Sequence, residues 1–306
     1  MLFGLLTILG LCLFEIISSI DNAIINAEIL STMGEKAKRF FLFWGILIAV
    51  FLVRGLLPWL IVWIVNPALG PIEALTATFS GDPAIHASIE KSAPVLLCGG
   101  GIFLVFLFFH WLFLEEKNYG LPHEKFFFEK GVWFFAIASI ILTSVIWITI
   151  HSNPIVAFGA AVGSSAFFIT HGFKQNAELK EKELTDKKLS DISKIFYLEV
   201  IDSTFSIDGV IGAFAFTLSV PLILIGNGLG AIVIRQLTMG NIERIKNYIY
   251  LKNGAMYSIF FLGIFMLLDS LGFHIPQWAS PLITFFFIAF FFFKSKLVLK
   301  NKTQII

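Results

Sequence analysis

Charge is scarce in this sequence. Asp, Glu, Lys and Arg supply 14% of its 306 residues, against about 25% in an ordinary soluble domain. Hydrophobic residues make up 57% and the mean hydropathy is +0.86. That is more apolar surface than one core can hide, which excludes a soluble enzyme and a disordered chain. Cysteine is nearly missing too. Cys12 and Cys98 sit inside apolar runs, where they read as small buried hydrophobes, and a disulfide scaffold is excluded. Neither sign of charge is in excess: 22 basic residues face 21 acidic ones, a formal net charge of +1, with no hint of a nucleic-acid partner.

What the sequence does hold is long apolar runs. A spanning helix needs about 20 mostly apolar residues, and nine stretches qualify: 2–31, 40–65, 94–114, 132–150, 154–172, 195–218, 221–239, 253–271 and 279–293. The expected fold is an all-α polytopic membrane protein, one membrane domain over 1–306 with the lipid bilayer as its surroundings. Span one does not read as a cleaved signal peptide, because it has no basic leading region and carries Glu15 and Asp21. Basic residues follow spans one, three, five, seven and nine, from Lys36 to Lys302, whereas the alternate loops hold only Lys91. The positive-inside rule then puts the N-terminus outside and the C-terminus in the cytoplasm. The charged stretch Lys174–Lys194 reads as a solvated linker or short helix. The 36 phenylalanines, including Phe285–Phe287 and Phe290–Phe293, read as lipid-facing and packing bulk.

An internal repeat emerges from the acids. Span one contains Glu15-Ile-Ile-Ser-Ser-Ile-Asp21-Asn22, and span six contains Glu199-Val-Ile-Asp202-Ser-Thr-Phe-Ser-Ile-Asp208-Gly209. The shared Ser-Ile-Asp aligns Asp21 with Asp208 and Glu15 with Asp202. The next span in each half carries one arginine, Arg54 and Arg235. Spans one and six run in opposite directions, so repeat one (about 1–66) and repeat two (about 195–272) are inverted in topology. Central helices over about 94–173 separate them, and a last helix over 279–293 follows. Inverted repeats mark secondary transporters with a site at the repeat interface.

The buried charge has to be balanced. Each intramembrane carboxylate costs about 2.5–3.5 kcal/mol near the bilayer centre. The five together cost on the order of 12–18 kcal/mol if uncompensated, as much as a whole domain's stability. Arg54 and Arg235 lie about 21 Å along their helices, at 1.5 Å per residue, too deep to reach the surface, and pair with carboxylates. The remaining negative charge calls for protons or bound cations. Glu199, Asp202, Ser203 and Ser206 share a helix face, as do Glu15, Ser18, Ser19 and Asn22. Asp208 lies nine residues past Glu199, on the opposite side of an ideal helix unless the helix breaks near Gly209. Carboxylate, hydroxyl and amide oxygens suit hard divalent ions such as Mn²⁺, Mg²⁺ or Ca²⁺. The candidate metal ligands are therefore Glu15, Asp21, Asn22, Glu199, Asp202 and Asp208, with the metal as substrate and no resident cofactor. His110, His151 and His171 lie near span ends, away from these acids.

These motifs resemble those of the TerC family of integral membrane proteins, named for tellurium resistance. Glu15, Ser19, Asp21 and Asn22 match its first motif, and Glu199, Asp202, Phe205 and Asp208 its second. Gly209 stands where the family has Ser, and the family's Pro after it is missing. The length corresponds to a larger, nine-span branch. The resemblance implies metal-ion export, most often of manganese, from a bacterial cytoplasmic (inner) membrane, and leaves room for a homo-oligomer. Two alternatives stay open. Glu15 with Ser18-Ser19 is similar to the Glu…Ser-Ser segment of undecaprenyl-diphosphate phosphatases, which would make the chain an intramembrane enzyme, although their Pro-Gly-x-Ser-Arg-Ser element has no counterpart here. The other is a membrane scaffold in a metal or tellurite stress-response complex, which gains nothing from five buried acids.

Overall fold

Apolar runs of this length satisfy their backbone groups in lipid by coiling into helices, and most of the described residues do so. The computed structural model describes residues 2–45, 55–65, 70–72, 83–186, 190–240 and 246–303. Among them are twelve α-helices and no strand. These are α1 (Leu2–Ser18), α2 (Ile20–Ser31), α3 (Glu35–Phe40), α4 (Leu57–Val65), α5 (Pro83–Leu114), α6 (Pro122–Phe128), α7 (Trp133–Ile150), α8 (Pro154–Asp186), α9 (Asp191–Ala213), α10 (Val220–Gly240), α11 (Leu251–Ser270) and α12 (Ala279–Thr303). One π-helical turn, Phe41–Gly45, follows α3. Six of the helices, α5, α7, α8, α10, α11 and α12, are long and apolar enough to cross a membrane, and α1 is a shorter apolar helix.

α5 is the axis of the bundle. Its most apolar window is 83% buried, whereas those of α7 and α12 are only 17% and 22% buried and form the rim. Three consecutive glycines in α5, Gly99–Gly101, would each cost a soluble helix about 1 kcal/mol. Here they let backbones meet. A Cβ on Gly99 would lie 2.8 Å from the Gly159 carbonyl of α8, and one on Gly101 would lie 3.0 Å from the Gly263 carbonyl of α11. Small residues at helix crossings are how helices pack where lipid removes the hydrophobic drive. Around this axis Phe103 and Phe106 meet Phe167 edge to face, Phe134 meets it at a tilt, and Tyr257 stacks on Phe291 at 5.4 Å. Phe286, Phe290 and Phe293 point outward. Both cysteines are free, Cys98 buried and Cys12 half-buried.

Three elements go beyond the sequence reading. Span one is interrupted: Ser19 ends α1 and caps α2, although its N–H still bonds to the Glu15 carbonyl at 3.1 Å. The supposed linker after Lys174 is mostly helix, because α8 runs on to Asp186 through a Glu/Lys-rich segment whose i,i+4 spacing supports one. Finally α9 passes Gly209 without a break and ends at Ala213. The region around Arg54 and most of 66–82 lie outside the described residues.

The end of the bundle where α5 stops and α11 starts is basic and tied down. Lys117 donates to the carbonyls of Trp111, Leu112 and Glu115 and so caps α5. Buried Glu124 accepts from Gly120 N at 2.6 Å and from Asn253 Nδ2 at 2.8 Å, and Lys294 of α12 donates to the Gly120 carbonyl.

Candidate functional site

Glu15 lies inside the bundle, 1% exposed. Its Oε1 accepts from Ser19 Oγ at 2.8 Å, one turn further on. Two glycines make room for it. A Cβ on Gly209 of α9 would fall 2.9 Å from Glu15 Oε2, and one on Gly230 of α10 would fall 2.6 Å from Glu15 Cβ. The first acidic motif therefore packs directly on the second, with Glu15 against the residue that follows Asp208.

Glu199 faces another way. Arg235 Nη2 donates to its Oε1 at 3.5 Å, and Nη1 donates to the Phe41 carbonyl at 3.1 Å. The guanidinium carbon sits 4.5 Å from the centre of the Phe41 ring, a cation–π contact. Both charged groups are buried, and Gly45 packs onto the pair with no space for a side chain.

Asp208, half a turn around α9 from Glu199, meets Lys174 of α8, with Nζ 3.5 Å from Oδ2. Both line a cavity of about 510 Å³ at the basic end, together with Ser18, Glu115, Lys117 and Lys252. Glu115 is clamped by Lys252 Nζ at 3.0 Å and lies 3.4 Å from His110 Nδ1, whose ring is 3.8 Å from that of His171. Burial alone would raise the Glu115 carboxyl. Lys252, the nearby His110 and Lys174 outweigh it and hold the group well below the usual carboxylate range. Burial brings the Lys117 ammonium down to about 8.

A second cavity, about 1020 Å³, lies at the opposite end and is lined by Phe216, Ser219, Asp269 and His274. Along α1, Gly10 packs on Phe216 of that cavity's wall, whereas Ser18 lines the first cavity. Glu15 lies between the two.

Of the six candidate ligands, the structure thus gives three a described side chain: Glu15, Glu199 and Asp208. The backbones of Asp21 and Asn22 fall in α2 and that of Asp202 in α9, but their side chains, and all of Arg54, lie outside the described residues. Among the described residues, no group of three or more His, Cys, Asp or Glu side chains is arranged to hold a metal ion.

The sequence model of the family described as "Protein of unknown function (DUF475)" matches residues 20–304. The chain belongs to the DUF475 family. No curated protein and no solved structure matches it. In this DUF475 chain the match covers Asp21 and the whole second motif, and Glu15 lies just ahead of it.

Sequence reasoning missed two kinds of participant in the DUF475 chain. Lys174 was placed in a solvated linker, although it follows span five by only two residues and sits on a helix that continues past it. The unpaired negative charge left after two arginines was the signal that a further cation had to be near. The second kind is the glycines Gly45, Gly209 and Gly230. Glycine inside an apolar helix signals close approach of another element, but not which element approaches.

Proposed function

We propose that this chain is a membrane transporter that exports a divalent metal cation, Mn²⁺ foremost, through an acidic site between two inverted repeats. In this reading it crosses a bacterial inner membrane nine times, with the N-terminus outside, and is kin to the TerC family. Asp21 and Asp208 line the site, and Glu15, Asn22, Glu199 and Asp202 complete or gate it. Arg235 and Arg54 balance charge without touching the metal.

The observation that carries the reading is the meeting of the two motifs, with Glu15 packed on Gly209 between cavities at the two ends of the bundle. Carboxylate and hydroxyl oxygens, with no Cys or His among them, are hard-cation ligands. The packing also supports related halves. Gly45 and Gly226 each stand nine residues ahead of Arg54 and Arg235. Gly45 packs on Glu199, nine residues before Asp208, and Gly226 packs on Leu11, ten residues before Asp21. Each half's second span thus meets the first span of the other half at nearly matching positions, as an inverted pair should.

The test is flux of Mn²⁺, Mg²⁺, Ca²⁺ and Zn²⁺ in proteoliposomes. Asp21→Asn and Asp208→Asn keep shape and remove charge. Each should abolish divalent-ion flux while expression holds, and wild-type flux should weaken as pH falls and carboxylates protonate. Unchanged flux in both variants would overturn the proposal.

A further inference from the structure

Asp208 already has a cation beside it, and that cation belongs to the chain. Lys174 Nζ lies 3.5 Å from its Oδ2, bridging α8 and α9 at the wall of the 510 Å³ cavity. The two side chains are 23% and 18% exposed, so the pair is neither lost in solvent nor sealed in the core. At about 30 Å³ per water, the cavity has room for a hydrated ion next to the ammonium group. It also holds a second anchor. Glu115 lines the same space, and Lys174 acts on its charge.

We infer that Lys174 is a tethered cation that occupies Asp208 while no substrate is bound and yields it to an incoming metal ion, shifting toward Glu115. This rests on the reading of Asp208 as a cation ligand. The argument is electrostatic. Two positive charges about 4 Å apart repel as strongly as either attracts a carboxylate at that distance, so ammonium and metal ion are alternatives at Asp208. A lysine suits the task because its flexible four-carbon stem carries a point charge, and a small change of rotamer moves that charge within the cavity while α8 stays in place. Glu115 receives it without becoming bare at any stage, since Lys252 and His110 remain on it. The empty protein then keeps a positive charge on Asp208, and the half-saturating metal concentration is set by competition with the lysine.

The experiment is Mn²⁺ titration of flux in proteoliposomes, separating half-saturation from maximal rate, for wild type, Asp208→Asn, Lys174→Met, Lys174→Gln and Lys174→Arg. Loss of the competing charge in Lys174→Met should lower half-saturation roughly five- to a hundred-fold, between what a good exposed ion pair and a broken buried pair are worth. Lys174→Gln should do the same if Met disturbs folding, and Lys174→Arg should stay at or above wild type. If Asp208→Asn loses flux but neither neutral Lys174 variant lowers half-saturation, the tethered-cation inference falls and the site stands. If wild type moves no Mn²⁺, or Asp208→Asn moves it unchanged, the site reading falls and takes the inference with it.

Discussion

At the scale of single residues, three of the candidate carboxylates have described side chains and each is handled differently. Glu15 bonds within its own turn, Glu199 takes a guanidinium, and Asp208 takes an ammonium. Arg235 is the most deeply committed of the cations, with Glu199, the Phe41 carbonyl and the Phe41 ring all on one guanidinium. Arg235→Ala should therefore lower stability by about 3–5 kcal/mol, the usual loss when one half of a buried pair is removed. Arg235→Lys should recover only part of it, because an ammonium cannot bond to Glu199 and the Phe41 carbonyl through a planar fork or stack on the ring. Thermal unfolding in detergent reads both effects, and wild-type stability in the Ala variant would show that Glu199 does not depend on this pairing.

At the scale of helices, the apolar runs show where each element lies, because a membrane helix is specified by length and hydropathy along the chain. What the runs do not show is where a helix continues into water. α8 keeps its hydrogen bonds beyond Lys174 with Glu and Lys side chains at helical spacing, a pattern that also fits a solvated linker. Nor does a sequence show which helices face each other. That Arg235 would find a carboxylate was legible from its depth. That the partner would be Glu199 depends on how α9 and α10 cross. The clamp between α5 and α11 illustrates the same limit: Glu115 and Lys252 lie 137 residues apart and meet at 3.0 Å. Because the Glu115 pKa is lowered in the fold, its contribution is fully present above the unfolded value of about 4.3 and is lost as pH falls toward the lower folded value. Lys252→Met should thus lose about 1 kcal/mol at pH 7, given the partial exposure of both groups. That deficit should narrow below about pH 4, where the unfolded chain's Glu115 begins to take up its proton. A deficit that stayed constant from pH 7 to pH 3 would mean the clamp is packing rather than charge.

At the scale of the whole molecule, lysines that are far apart in sequence collect at one end. Lys117, Lys174, Lys246 and Lys252 line a single cavity, and Lys294 reaches the adjoining loop at Gly120. The opposite cavity is lined by Asp269 and His274 and, among the described residues, by no lysine or arginine. The positive-inside rule rests on the difficulty of moving Lys and Arg outward during insertion, and it predicts that the end that holds these lysines faces the cytoplasm. A reporter fused after Ile306 should then be cytoplasmic and one inserted near Asp82 external. The proposed direction of transport depends on this result. With the basic end inside, Asp208 and Lys174 are reached first by cytoplasmic ions and Glu15 lies further along the way out, which is the order an exporter needs. The reverse orientation would turn the same cavity outward and make Lys174 a guard against uptake, whereas reversal of one reporter alone would overturn the nine-span count on which the opposed directions of spans one and six depend.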